Sequence, residues 1–249
     1  MRMATVILFH SAYGLRPLER DAAERLAAAG HQVVTPDLYD GRVAGSIGEA
    51  VALRDGIGWR TLFERAERAV ADLPATAVLG GFSMGAAVAA TLWAKRPKTA
   101  GLLFLHSIAE LPANARTGVP LQLHLADPDP FEPAEEVAAW RAAAAETPIA
   151  LEIFTYPGAG HIYTDPTLAD HDAVAARLTW DRVERFLARL QDPARSFRAE
   201  SCLQYVRSQQ DVDRLLSCPY RWVARARRTS SERLIPSLRL TCGASPKCR

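Results

Sequence analysis

Gly81-Phe82-Ser83-Met84-Gly85 reads G-x-S-x-G and stands between an apolar run, Ala75-Thr76-Ala77-Val78-Leu79-Gly80, and the small-residue stretch Ala86-Ala87-Val88-Ala89-Ala90. The pentapeptide alone also describes an ordinary glycine-bounded turn. A buried strand before it and a helix after it select a narrower reading, a sharp strand-to-helix elbow. Glycines on both sides remove the Cβ atoms that would clash when Ser83 is held in a strained backbone conformation, so its Oγ stands clear at the strand end. An exposed, strained serine in that place points to acyl-transfer chemistry.

From Thr5 to Leu190 apolar strand-like runs alternate with helical periodicity, which predicts a mostly parallel sheet with helices on both faces. The strands are expected at Thr5–Phe9, Gln32–Thr35, Ala75–Gly80, Gly101–His106, Pro120–Leu125 and Ala150–Thr155. Helices are expected at Pro17–Ala29, Thr61–Leu73, Met84–Lys95, Pro133–Ala145 and Asp170–Leu190. Pro17 near the start of the first helix and Gly30 just past its end follow the usual punctuation. The glycine-rich stretch Asp40–Gly58 reads as a loop over the carboxyl edge of the sheet, with a short helix around Glu49–Arg54, and Trp59 and Phe63 as walls of a pocket or plain core.

A serine hydroxyl is a poor nucleophile near neutral pH and needs a base in hydrogen-bond reach, with a carboxylate to fix the base's tautomer. On sheets entered by such an elbow the order along the chain is Ser, Asp or Glu, then His. The strand Leu121–Leu125 runs into Ala126-Asp127-Pro128-Asp129-Pro130, where both aspartates precede prolines and are kept out of helix. Asp129 is favoured as the acid and Asp127 is the alternative. Pro157-Gly158-Ala159-Gly160 then delivers His161, the base in the required order. Backbone N–H groups of Met84 and, by position, Ala12 are the expected oxyanion donors. His10, Ser11 and Tyr13, at the mouth of the first strand, are expected to border the pocket, whereas His106 and His124 lie in strands and read as structural.

The chain has 249 residues, enough for one sizeable α/β core with an appendage. Its +2 formal charge hides an asymmetry: residues up to Leu190 carry 18 Lys and Arg against 23 Asp and Glu, and those from Gln191 onward 12 against 5. All 4 cysteines (Cys202, Cys218, Cys242, Cys248) lie in the last segment. Residues 191–249 therefore read as a basic, cysteine-containing tail, disordered or an out-of-frame extension. Its arginine run Ala224–Arg228 comes with no recognised nucleic-acid module, and its cysteine spacings lack the close pairs of structural zinc sites, so neither nucleic acid nor metal is expected. No apolar run is long enough for a membrane span, and Met1–Phe9 reads as a buried strand, so a cytoplasmic protein is expected.

These motifs together resemble the dienelactone hydrolase family of α/β hydrolases over about Val6 to Leu190. The resemblance rests on His10-Ser11-Ala12-Tyr13-Gly14-Leu15, on Leu26–His31 leading into Pro36-Asp37-Leu38-Tyr39, on the elbow, on Asp129-Pro130-Phe131, and on Pro157–His161. It implies an α/β-hydrolase fold and a hydrolase of small esters or lactones that needs no cofactor. Well-known members carry a cysteine nucleophile and a glutamate at the end of the first strand; here those positions are Ser83 and Ser11, a consistent pair, since a serine has no thiolate to manage. Asp165 stands where the family places a carboxylate-binding arginine, so a neutral or cationic substrate is expected over an anionic one. The rival expectation is a noncatalytic binding protein on the same scaffold.

Overall fold

A computed structural model describes residues 3–191 of the chain, so the expectations for the tail lie outside the described residues. The strands are β1 (Thr5–Phe9), β2 (Gln32–Val34), β3 (Val78–Phe82), β4 (Leu102–Leu105), β5 (Pro120–Asp127) and β6 (Ala150–Pro157). The helices are α1 (Pro17–Ala28), α2 (Ile47–Ile57), α3 (Trp59–Val70), α4 (Met84–Lys95), α5 (Ala134–Ala145) and α6 (Ala173–Gln191). The six strands form one sheet in the order β2-β1-β3-β4-β5-β6, and every pair is parallel.

The chain leaves β1 toward β2 on one side and later returns to β3 on the other, so the direction of winding reverses between β1 and β3. Right-handed crossovers then put α1 on one face and α3, α4 and α5 on the other. Ion pairs of Arg25 with Asp181 and Glu184 tie α1 to α6. The reversal opens a crevice at the carboxyl ends of β1 and β3, the place where open α/β sheets bind ligands. Central strands covered on both faces must be apolar throughout, and β3 and β4 are buried along their whole length; the edge strand β6 is only partly covered. On α3 the stripe Leu62, Ala66, Val70 is buried, and on α6 Thr179, Val183, Phe186 and Leu187.

Several boundaries differ from the sequence expectation. The glycine-rich stretch holds an eleven-residue helix, because Ser46 caps it by accepting from the Glu49 N–H while the Glu49 carboxylate accepts from the Gly45 N–H. Gly58, at φ 81°, separates α2 from α3. Strand β3 continues through Gly80 and Gly81, whose pairing with Leu8 and Phe9 of β1 outweighs the weak strand preference of glycine. Strands β5 and β6 both run two residues further than expected because they pair with each other out to Asp127 and Pro157.

The elbow depends on two glycines. A Cβ at Gly81 would collide with the backbone of Gly85, and one at Gly85 would collide with the Phe9 carbonyl and lie 2.9 Å from the His10 oxygen. The first turn of α4 thus lies backbone to backbone against the end of β1. Gly85→Ala is expected to lower stability by roughly 3 kcal/mol, the upper end of the usual overpacking cost, because the obstacle is main chain that cannot rotate away. Chemical denaturation checks this, and an unchanged midpoint and slope would contradict it.

Candidate active site

Ser83 leaves β3 at φ 49° and ψ −112°, a conformation costly for any residue with a side chain, and α4 begins at the next residue. Its nitrogen donates to the Leu105 carbonyl at 2.7 Å, which anchors the strained residue to β4. The Oγ lies 2.9 Å from His161 Nε2, and His161 Nδ1 lies 2.7 Å from Asp129 Oδ2. With Nδ1 donating to the carboxylate, Nε2 is left to accept the serine proton. Asp129 and His161 are both 6% exposed, so the pair is shielded while Ser83 keeps partial access. The other aspartate oxygen accepts from the Phe131 N–H at 2.9 Å, and the Phe131 ring lies 4.6 Å from the His161 ring.

The loops are set by local chemistry. Gly158, at φ 80°, donates to the Asp127 carbonyl at 2.7 Å and so ties the histidine loop to the end of β5. Ile162 N–H donates to Asp170 at 3.1 Å, and Gly160 packs so tightly on Asp170 that a Cβ would not fit. Asp127 contributes its backbone here, while its side chain is exposed and makes no hydrogen bond to His161. Met84 opens α4, so its N–H has no partner within the helix and stands with the helix dipole's positive end beside Ser83. Ala12 lies in the loop after β1, the strand against which that first turn packs.

His10 and Ser11 do not border the site. Both are wholly buried: His10 Nδ1 lies 2.7 Å from the Ser11 carbonyl and Nε2 accepts from the Leu38 N–H at 3.0 Å, so the ring joins β1 to the segment after β2. Burial holds its pKa below the ordinary value, an effect the Ser11 carbonyl partly offsets. Tyr13 is 8% exposed and lies under the Arg16 guanidinium, 4.2 Å from its ring centre. Trp59 and Phe63 stack at 5.5 Å and line a groove of about 430 Å³ with Ala87, Ala90 and Ala94 of α4, a wall that does not include Ser83, Asp129 or His161.

Family and structural likeness follow from this frame. The model of the dienelactone hydrolase family matches residues 1–191. The chain belongs to the dienelactone hydrolase family. No curated protein matches it significantly in sequence. Among solved structures, the dienelactone hydrolase-like promiscuous phosphotriesterase P91 from metagenomic libraries is 19% identical with a TM-score of 0.64, the alignment covering 75% of this chain and 86% of that one. A protein of Klebsiella pneumoniae subsp. pneumoniae described provisionally as a dienelactone hydrolase is 20% identical with a TM-score of 0.61 over 76% and 87%. Esterase 2 of Thermogutta terrifontis is 16% identical with a TM-score of 0.53 over 76% and 84%. At these identities the likeness establishes the α/β-hydrolase fold, and membership of the family makes the chain a hydrolase. Among the described residues no helix is long and apolar enough to cross a membrane.

Two features of this dienelactone hydrolase family member escaped the sequence. Position 11 holds serine where the family holds glutamate, yet a carboxylate still reaches it: Glu19 accepts from both the Ser11 N–H (3.1 Å) and Oγ (3.2 Å). The signal was its place on α1, three and seven residues before buried Ala22 and Leu26, where a charge needs partners. Asp165 is 1% exposed and ion-paired with Arg16, and its Oδ1 accepts from Thr167, so it offers no free charge to repel an anionic substrate. That correction removes the basis for expecting discrimination against anions. Glu132, three residues past Asp129, is also buried and accepts from the Ser107 hydroxyl; burial pushes its carboxyl up, opposed by that hydrogen bond.

Behind the site, His106 and His124 are fully buried. Burial, reinforced by the neighbouring His161 and His124, holds His106 well below its ordinary pKa, and burial with Arg182 holds His124 down to about 3. His124 Nε2 meets the side-chain Oε1 of Gln122 at 2.9 Å and Nδ1 meets the Tyr156 hydroxyl at 2.8 Å, a neutral ring in use at both nitrogens. Because these pKa values are lower in the folded state, unfolding takes up protons below the unfolded value of 6.5. The stabilisation from neutral burial is complete above that pH and is lost as pH falls, for His124 down to about 3. The expected slope is roughly 1.4 kcal/mol per pH unit for each such histidine. Urea melts of wild type and His124→Gln between pH 6.5 and 4 check this; equal slopes would contradict it.

Proposed function

We propose that the chain is a metal-free serine hydrolase of small carboxylic esters or lactones, working through Ser83, His161 and Asp129. The observation that carries this reading is the continuous hydrogen-bonded path from a strained serine at a strand end, through both nitrogens of one imidazole, to a shielded carboxylate. His161 Nε2 takes the Ser83 proton as Oγ attacks the carbonyl carbon, and Asp129 stabilises the imidazolium that forms. The tetrahedral oxyanion is met by the Met84 N–H, aided by the α4 dipole, and by the Ala12 N–H. His161 returns the proton to the leaving alcohol, leaving Ser83 acylated. Water, deprotonated by the same imidazole, then resolves the acyl-enzyme and frees the acid.

Phe131 stands half-exposed beside the His161 ring and offers an apolar surface at the base, which favours a substrate with an apolar group there. A small aryl ester meets that requirement.

Ser83→Ala is expected to remove ester turnover by a factor of about 10⁶ while leaving the melting temperature close to wild type, since one oxygen at the site is lost and no packing. A fluorophosphonate probe should label wild type and spare the variant. A folded wild-type protein that resists the probe and turns over no ester would instead be a binding protein on this scaffold. Asp129→Asn should lower kcat by about 10⁴, through loss of the correct histidine tautomer, whereas Asp127→Asn should stay within about threefold of wild type, because only the backbone of Asp127 is engaged. Steady-state kinetics on an aryl ester decides between them, and the reverse ranking would transfer the role to Asp127.

A further inference from the structure

The oxyanion donor proposed in the loop after β1 and the base in the loop after β6 belong to strands four places apart in the sheet, about 19 Å at the usual strand spacing. No strand pairing can hold two such loops in register. Buried charges span the gap. Glu19, wholly buried, accepts from the Ser11 N–H and Oγ through Oε1 and from the Arg16 N–H, at 3.0 Å, through Oε2. One carboxylate thereby clasps both ends of the turn that contains Ala12. Within it, the Gly14 N–H donates to the Ser11 carbonyl at 3.1 Å, and Gly14, at φ 93°, lies against the backbone of Arg42.

From the end of that turn the Arg16 guanidinium crosses the Tyr13 ring and pairs with Asp165, the two side chains being 12% and 1% exposed. Asp165 lies four residues past His161. Its N–H donates to the Ile162 carbonyl at 2.9 Å, and its second oxygen accepts from Thr167 N–H and Oγ1 at 2.9 and 2.7 Å. The chain of contacts from Ser11 through Glu19, Arg16 and Asp165 to the residue after His161 is therefore unbroken. A shielded ion pair between a guanidinium lying over the Tyr13 ring and a carboxylate held by Thr167 restrains the two loops more than an apolar contact would.

We propose that Arg16 and Asp165, anchored by Glu19, are positioning residues that lock the Ala12 loop to the His161 loop, so that oxyanion donor and base keep one spacing during turnover. The inference rests on the serine-hydrolase reading above. Neither residue touches the reacting atoms, so loss of the lock leaves ground-state binding largely intact and weakens what is made in the transition state.

The test is kinetics of Arg16→Gln, Asp165→Asn and the double variant on a neutral aryl ester, at a temperature where melts show each fully folded. Each single variant is expected to lose roughly 10- to 100-fold in kcat with KM within about threefold, and the double variant to be no worse than the poorer single one, since both remove the same coupling. Wild-type kcat in the folded single variants, or losses that multiply in the double variant, would overturn the proposal. Should either fail to fold, Arg16→Lys, which keeps the charge but not the guanidinium lying over the Tyr13 ring, is expected to fold with kcat reduced severalfold, and an unchanged kcat there would overturn it equally. Fluorophosphonate labelling separates the two readings: an unlabelled, inactive wild type removes the hydrolase reading and the lock with it, whereas a labelled wild type with fully active variants removes the lock alone.

Discussion

The close approach of α4 to the end of β1 is the constraint on which the rest of the site depends. Gly85 permits main chain to touch main chain there, Gly81 leaves room for the helix to start, and Ser83 takes the strained conformation that joins the two. One contact thus sets where the serine oxygen stands, how the first N–H groups of α4 face it, and how near the loop after β1 can come. The strain at Ser83 is borne by neighbours that cannot relax, chiefly the bond from its nitrogen to the Leu105 carbonyl in the fully buried strand β4.

Around that fixed point the sheet acts as a ruler. Parallel pairing of β5 with β6 out to their last residues brings the acid and histidine loops side by side, and the Gly158 to Asp127 hydrogen bond closes them together. Asp129 then needs only a short turn to reach His161. The same arrangement explains why two aspartates separated by one proline have different parts: Asp127 ends a strand and gives its backbone, and Asp129 turns inward and gives its carboxylate. Neutral, buried His106 and His124 fill the space behind the site without adding charge, at the cost of stability in acid.

Much of this was legible in the sequence because it depends on short-range pattern. The apolar runs marked all six strands, the elbow located the switch from strand to helix, and Pro157–His161 showed where a histidine would follow a tight loop. What escaped was set by tertiary partners. A short helix around Glu49–Arg54 was legible, but the full length of α2 was hidden by its glycines, although Ser46 and Glu49 form a readable cap. The expectation that His10 and Ser11 border the pocket failed because a strand-end position does not reveal which way a side chain turns; both turn into the interior. The expectation that Asp165 disfavours an anionic substrate lost its basis because its partner, Arg16, lies 149 residues away in the chain and is not legible as such. Single-residue chemistry pointed to Ser83, His161 and the two aspartates, and the hydrogen bonds join Ser83, His161 and Asp129, while the contacts of Glu19, Arg16 and Asp165 required the fold.

The central claim is that Ser83 becomes covalently acylated by its substrate. Rapid-quench intact-mass measurement during hydrolysis of an activated aryl ester, followed by peptide mapping, tests it most directly. The account predicts a transient increase equal to the acyl group, confined to the peptide containing Ser83 and absent in Ser83→Ala. Steady hydrolysis by wild type with the adduct on another residue, or equally fast hydrolysis by Ser83→Ala, would contradict it.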